Sequence, residues 1–305
     1  MNFEAPQDNV EIFGPLANNL QLPLFRYMKL STLLLLLEGE AFFPSVANLC
    51  KGDPFEGSLF CEPEWLMTAL TPPKLDPELH TWLRKKAREL EGKHIDDRRT
   101  PASLRSQFLS DIYTRELRHR RAAWCWFQDD LESAGMWSVY GHNGVAVRTT
   151  LGALKCSLPS NRKFQLAKMR YVDRRTSSDN AFDAEDQDRD LILRPHLLKA
   201  FEYRHENEIR VVTQCPAMED GVLIKELKWD QLIKEIIISP LLPRAEVDAI
   251  AEMLSKHKLG SELRIGPSEL LPKEGILGDG TLSDAIRQSH GGCVEPGLPA
   301  FLDRL

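Results

Sequence analysis

The sequence predicts an α+β domain: a mixed, mostly antiparallel sheet with interleaved helices and a polar helical insertion. Three observations carry this expectation. Strand-like runs follow one another directly in several places, whereas a doubly wound parallel sheet alternates strand and helix. The 305 residues are 42% hydrophobic and 28% charged, a globular composition with enough chain to bury a core without disulfide or metal staples. No G-x-G-x-x-G follows a strand, and no G-x-x-x-x-G-K-[ST], H-E-x-x-H or G-x-S-x-G occurs, so the commonest phosphate, zinc-protease and hydrolase motifs are missing.

The elements follow in order. Residues 1–21, rich in Asn, Gln and Pro, read as a flexible lead-in, and 22–271 as the domain. Leu24 to Met28 is a strand. Ser31, as N-cap, opens a helix that runs to Glu38 and is ended by Gly39. Ala41 to Ser45 is a second strand, and Gly52-Asp53-Pro54-Phe55-Glu56-Gly57 a turn. Residues 62–121 form the helical insertion, broken at Pro72-Pro73 and near Thr100-Pro101. Strands are then expected over Ala122 to Phe127, Gly144 to Thr150 and Lys168 to Val172, with a helix from Leu131 to Tyr140. Residues 173–190 carry seven acidic side chains and read as a loop. A helix is expected from Pro195 to Tyr203. The strands Glu206 to Thr213, Val222 to Leu227 and Glu235 to Ser239 follow. The amphipathic helix Ala245 to His257 and the strand Ser261 to Ile265 close the domain. Residues 272–305 form a Gly/Pro-rich tail.

The net charge of -6 argues against bulk attraction to nucleic acid or an anionic membrane. The charge is uneven, however: residues 84–121 hold twelve Lys/Arg against six Asp/Glu, either a solvated helical face or an anion-binding surface. The N-terminus lacks the basic stretch of a secretory signal, and the longest apolar run, Leu33 to Leu37, is far too short to span a bilayer. These features predict a cytoplasmic protein with no membrane partner. The six cysteines are scattered without a C-x-x-C; buried free thiols and no metal are expected.

Three constellations could carry chemistry. In a strand over Glu206 to Thr213, Glu206, Glu208 and Arg210 share a face, which suits either a cleft lining or a solvent-facing row of weak pairs. Arg26, inside the apolar run Phe25-Arg26-Tyr27, needs an anion or carboxylate partner if buried. It could grip a ligand or pair with Asp53 or Glu56. Trp137 and Tyr140, three apart on a helix, meet on one face, as core or as a ligand platform. His142, in the Gly-His-Asn-Gly turn, is either an acid–base group or simply an exposed loop histidine.

The ordered motifs F-R-Y-M (25–28), G-D-P-F-E-G (52–57), W-C-W-F (124–127), M-W-S-V-Y-G-x-x-G-V-A-V (136–147), M-R-Y-V (169–172), F-E-Y-R-H-E-N-E-I-R (201–210) and I-I-I-S-P (236–240) resemble a widespread bacterial family, domain-of-unknown-function family twenty-nine seventy-one. The resemblance covers roughly residues 22 to 270. It implies a link to mobile or defence genes, hence a toxin or anti-phage role and an antitoxin or defence-system partner.

The order Arg26, Trp137/Tyr140, Glu206-Asn207-Glu208 also resembles that of ADP-ribosyltransferases. That resemblance implies NAD as the consumed substrate and a protein or nucleic-acid acceptor. Glu208 would stabilise the oxocarbenium-like state and Glu206 would orient or deprotonate the acceptor. Arg26 would grip the pyrophosphate and Tyr140 would stack on nicotinamide, with Tyr27 and Trp137 counted among the NAD-binding residues. The family's S-T-S strand is missing, and Arg210 stands where it could neutralise Glu208.

Two other readings stand beside this one. A nucleic-acid protein would use 84–121, with Trp82, Tyr113, Trp124 and Trp126 as stacking groups. An interaction module would dock a partner on the charged strand without turnover.

Overall fold

The computed structural model describes residues 9–50, 53, 56–57, 115–172, 195–216, 219–257 and 263–270. Most of the expected insertion, the acidic loop 173–190, the tail, and Trp82 and Tyr113 lie outside the described residues. What is described is an α+β fold built on one eight-stranded, mostly antiparallel mixed sheet.

The sheet order is β1 (Val10–Ile12), β6 (Phe164–Lys168), β9 (Glu208–Gln214), β4 (Arg121–Gln128), β2 (Pro23–Lys29), β5 (Gly144–Thr150), β11 (Glu235–Ile238) and β12 (Arg264–Pro267). Only the outer pairs, β1–β6 and β11–β12, run parallel. Two small sheets flank it: β3 (Ala41–Pro44) with β10 (Gly221–Ile224), antiparallel, and β7 (Arg170–Val172) with β8 (Leu198–Ala200), parallel. The lead-in is therefore not wholly loose. Its residues 10–12 add an edge strand, anchored where Asn9 Nδ2 donates to the carbonyls of Pro159 (2.9 Å) and Arg162 (2.8 Å).

Register fixes the two faces. Leu24, Trp124, Trp126, Val145, Val147, Phe164, Leu166, Ile209, Val211 and Ile236 point into the larger core. That core is covered by α1 (Leu30–Leu37), α4 (Leu151–Ser157), α5 (Trp229–Leu232) and α6 (Arg244–Lys256), together with β3 and β10. The opposite face carries two smaller apolar patches. Phe25, Tyr27, Phe127 and Ala146 pack on Met136 and Trp137 of α3 (Ala134–Tyr140). Ala123, Ala167 and Val212 pack under Val46 of α2 (Val46–Leu49) and Leu197. Between these patches the cross-strand positions are polar, and the candidate site occupies that gap.

Several local expectations change. The first helix starts at Leu30 and has no side-chain cap, so Ser31 lies inside it. The capping hydroxyls belong to Ser45 for α2, Ser133 for α3 and Thr150 for α4. The expected helix from Pro195 to Tyr203 is instead a short 3-10 turn (Pro195–Leu197), β8, and a second 3-10 segment (Phe201–Glu206). The strand expected from Glu206 begins at Glu208. Of the four described cysteines, all free, only Cys215 is buried; Cys50 and Cys125 are half-buried and Cys156 is exposed. No helix among the described residues is long and apolar enough to cross a membrane.

Candidate functional site

Glu208 and Arg210 stand two apart on β9, so both side chains leave on the face of the two apolar patches. Their antiparallel neighbours on β4 are Phe127 and Cys125. Arg210 is 1% exposed, and its fork is fully engaged. Nε donates to Glu208 Oε1 at 2.6 Å, Nη1 to the His196 carbonyl at 2.8 Å, and Nη2 reaches Glu56 Oε1 and, at 3.3 Å, Glu208 Oε2.

Lys199, on β8, meets the same group from the other side. Its Nζ lies 2.5 Å from Glu206, 3.3 Å from Glu208 and 3.6 Å from Glu56, and sits 4.9 Å from the centroid of the Tyr203 ring. Glu56 comes from the turn after α2, where its N–H donates to the Asp53 carbonyl. Gly57 follows at φ +66, and a Cβ there would lie 2.9 Å from Val46; only glycine takes both that conformation and that space. Asn207 sets Glu206. It adopts the left-handed conformation (φ 44, ψ 50), accepting from Gln128 N–H at 3.0 Å and donating through Nδ2 to the Gln128 carbonyl at 2.7 Å. The chain turns there, and Glu206 stays beside Glu208 from the end of a 3-10 segment.

Three carboxylates thus meet two cations in a space where none of the five side chains is more than 7% exposed. Such a cluster is costly to bury unless fully paired, and among the described residues its formal charges leave one negative in excess. Electrostatics separates the carboxyls. Burial pushes Glu208 up, but Arg210 and Lys199 outweigh it and hold it down at about 2. Glu206 is raised by burial, with the Glu208 charge adding to the rise and Lys199 and Tyr140 opposing it. Burial and its carboxylate neighbours push the Tyr140 and Tyr171 hydroxyls up. Tyr140, 40% exposed, lies with its ring on Phe127 and donates its hydroxyl to Glu206 Oε1 at 2.8 Å. Glu206 is therefore the carboxylate on the outward side, and Glu208 the one locked inward.

The other expected site residues are elsewhere. Arg26 alternates with Phe25 and Tyr27, so it leaves on the Trp124 face, opposite Glu208. Its guanidinium sits 5.3 Å from the Trp124 ring centroid and donates to the Cys125 carbonyl, not to Asp53 or Glu56. Arg26 and Glu208 cannot line one pocket. Tyr27 and Trp137 are core: the Tyr27 hydroxyl accepts from Ser133 N–H at 2.8 Å, and Trp137 Nε1 donates to Glu132 at 2.9 Å. Their rings meet edge to face at 4.9 Å. Trp124 and Trp126 are also buried, so neither serves as a stacking group for bases.

Lys199 and Glu56 are the members that strand alternation did not reveal. The available signal was a lysine in the apolar run Leu197-Leu198-Lys199-Ala200, seven residues before Glu206. Among the described residues no group of His, Cys, Asp or Glu is arranged to hold a metal ion. Comparison with protein-family models, with curated proteins and with solved structures finds no match to this chain.

Proposed function

We propose that the chain is an acid–base enzyme acting on a ribosyl bond with a cationic leaving group. NAD is the first candidate substrate, and Glu206 is the working carboxylate. One observation carries the reading: a five-charge buried cluster with one negative charge in excess, whose outermost carboxylate is held by a half-exposed tyrosine. Two carboxyls driven apart in pKa by their surroundings are the usual basis of an acid–base assignment.

The excess negative charge suits the cationic nicotinamide-ribosyl end of NAD and the positive charge that builds on the ribose as the bond breaks. It does not suit the pyrophosphate, and Arg26 is not there to bind it. The roles implied by the transferase resemblance therefore shift outward. Glu206 takes the proton from the attacking water or acceptor hydroxyl. Nicotinamide leaves neutral with the bonding electron pair. Lys199 and Tyr140 orient the Glu206 carboxylate, while Glu208, neutralised by Arg210, fixes Lys199. The inner half of the cluster, Glu56 with Arg210 and Glu208, ties the turn to the sheet.

The test is release of labelled nicotinamide from NAD, alone and with cell lysate, by wild type and Glu206→Gln. Release that Glu206→Gln abolishes in a folded protein supports the reading. Absence of release by wild type with every acceptor excludes NAD as the substrate, and unchanged release in Glu206→Gln excludes the role of Glu206.

A further inference from the structure

The large sheet is split near its centre. β2 pairs with β5 over seven positions but with β4 over only two, Leu24–Gln128 and Phe25–Phe127, although β4 goes on pairing with β9 along its length. Arg26 and Trp126 stand one step beyond the last β2–β4 pair, and alternation sends both toward the larger core. Where the ladder stops, the Arg26 guanidinium takes its place, and Nη1 donates to the Cys125 carbonyl. The guanidinium lies 5.3 Å from the Trp124 ring centroid, and the Trp124 and Trp126 rings meet edge to face at 5.0 Å. Two donors of this one cluster, Arg26 Nε and Trp126 Nε1, are shut off from solvent and have no acceptor among the described residues. Nor does Arg26 form an ion pair there; its polar partner is a neutral carbonyl. Glu208, whose charge reaches it, lies on the other face and is held by Arg210 and Lys199.

We propose that the gap between β2 and β4 binds one small monovalent anion of the halide class, held by Arg26 and the Trp126 indole N–H. A buried donor without an acceptor calls for a water or an ion, and the charge decides between them. Burial lowers Arg26 to about 10, so it stays protonated at neutral pH, and a buried cation without a counter-charge is costly. Water would satisfy the two N–H groups and leave that charge standing; an anion of charge -1 answers both. A dianion such as phosphate would bring a second charge that nothing in the cluster neutralises. The neighbours of Arg26 on this face, Leu24, Trp126 and Val147, are fully buried, so the anion must shed its water readily, which favours chloride or bromide over fluoride. Arg26 is itself only half-buried, so the gap is not sealed from solvent.

The test uses the full chain. In crystals soaked in sodium bromide, anomalous scattering places a bromide against both Arg26 Nε and Trp126 Nε1. In solution, the melting temperature of wild type is compared in sodium chloride and in sodium gluconate at equal ionic strength. Chloride raises it relative to gluconate along a saturating curve, as a ligand of the native state does, and Arg26→Met loses that rise. Trp126→Phe keeps an aromatic ring and removes one donor, so the midpoint of the chloride response moves about tenfold higher; this variant carries the test if Arg26→Met does not fold. Glu206→Gln responds to chloride like wild type, so this site stands or falls apart from the Glu206 reading. Absence of bromide at the two nitrogens, absence of a chloride response in wild type, or a response that both Arg26→Met and Trp126→Phe retain unchanged overturns the proposal.

Discussion

Arg210 and Glu56, 154 residues apart, form an ion pair in which the two side chains are 1% and 3% exposed. The pair joins β9 to the turn after α2, so two segments far apart in the sequence meet in one electrostatic unit. Its energetics are asymmetric. Arg210→Met leaves three buried carboxylates facing Lys199 alone, and breaking a buried pair in this way costs about 3–5 kcal/mol. Glu56→Gln leaves two carboxylates and two cations, a balanced set, and costs clearly less. Urea unfolding of both variants checks the order; equal losses would show that the excess charge is not a feature of the folded cluster.

Asn207 is the second point of control. A left-handed conformation costs a non-glycine residue roughly 1–2 kcal/mol, and Asn tolerates it best. Asn207→Ala therefore loses about that much, together with the side-chain bond to Gln128. Asn207→Gly relieves the strain and loses only that bond, about 1 kcal/mol. Thermal unfolding separates the two variants, and an alanine variant as stable as the glycine one would contradict the backbone assignment.

β5 shows how far periodicity carries. It was expected over Gly144 to Thr150 and is found with those bounds, because turn chemistry and alternation agree there. Glu206 shows where it stops. Alternation placed Glu206 beside Glu208 for the wrong reason, since the juxtaposition comes from a 3-10 end and a left-handed Asn207 that the strand pattern does not encode. Arg26 failed in the opposite way. A one-residue offset between Arg26 and Tyr27 decides its face, and only pairing with β4 says which face meets Glu208. Lys199 and Glu56 are set by tertiary contact, so neither belongs to a local repeat.

Gly144 supplies a packing prediction. A Cβ there would lie 2.0 Å from the Met28 carbonyl oxygen, a backbone atom of the adjacent strand. Gly144→Ala must push β2 from β5 in the middle of the sheet and costs at least about 2 kcal/mol, within the range for overpacking. Gly266→Ala, with nothing within 4 Å of its Cβ, serves as the control. Similar melting temperatures for the two variants would refute the close approach.

The two central carboxylates predict opposite pH dependences. Glu208 is held down at about 2 from 4.5, so its stabilisation is complete above pH 4.5 and lost as pH falls toward 2. Glu206 is raised; its contribution is complete below pH 4.5 and is lost as pH rises through the folded value. Gln mimics the protonated carboxyl. The melting temperature of Glu206→Gln relative to wild type should therefore increase with pH above 4.5 and level off below it. A constant difference across that range would mean Glu206 is not raised in the folded protein.

Tyr140 gives a readout that a purely structural role would not move. Its hydroxyl donates to Glu206 Oε1, and this bond favours the ionised carboxylate, opposing the rise that burial imposes. Tyr140→Phe keeps the ring on Phe127 and removes only the donor, so stability falls by about 1 kcal/mol. Glu206, without that donor, holds its proton to a higher pH. If Glu206 must be ionised to accept a proton from the nucleophile, the acidic limb of the rate profile moves to higher pH in Tyr140→Phe while the plateau rate is largely kept. Tyr171→Phe provides the comparison. The Tyr171 hydroxyl is engaged as acceptor by the Glu208 backbone N–H and does not donate to the Glu206 carboxylate, so its loss leaves the acidic limb where it is. Profiles of the two variants that move together, or do not move at all, would remove Glu206 from the chemical step.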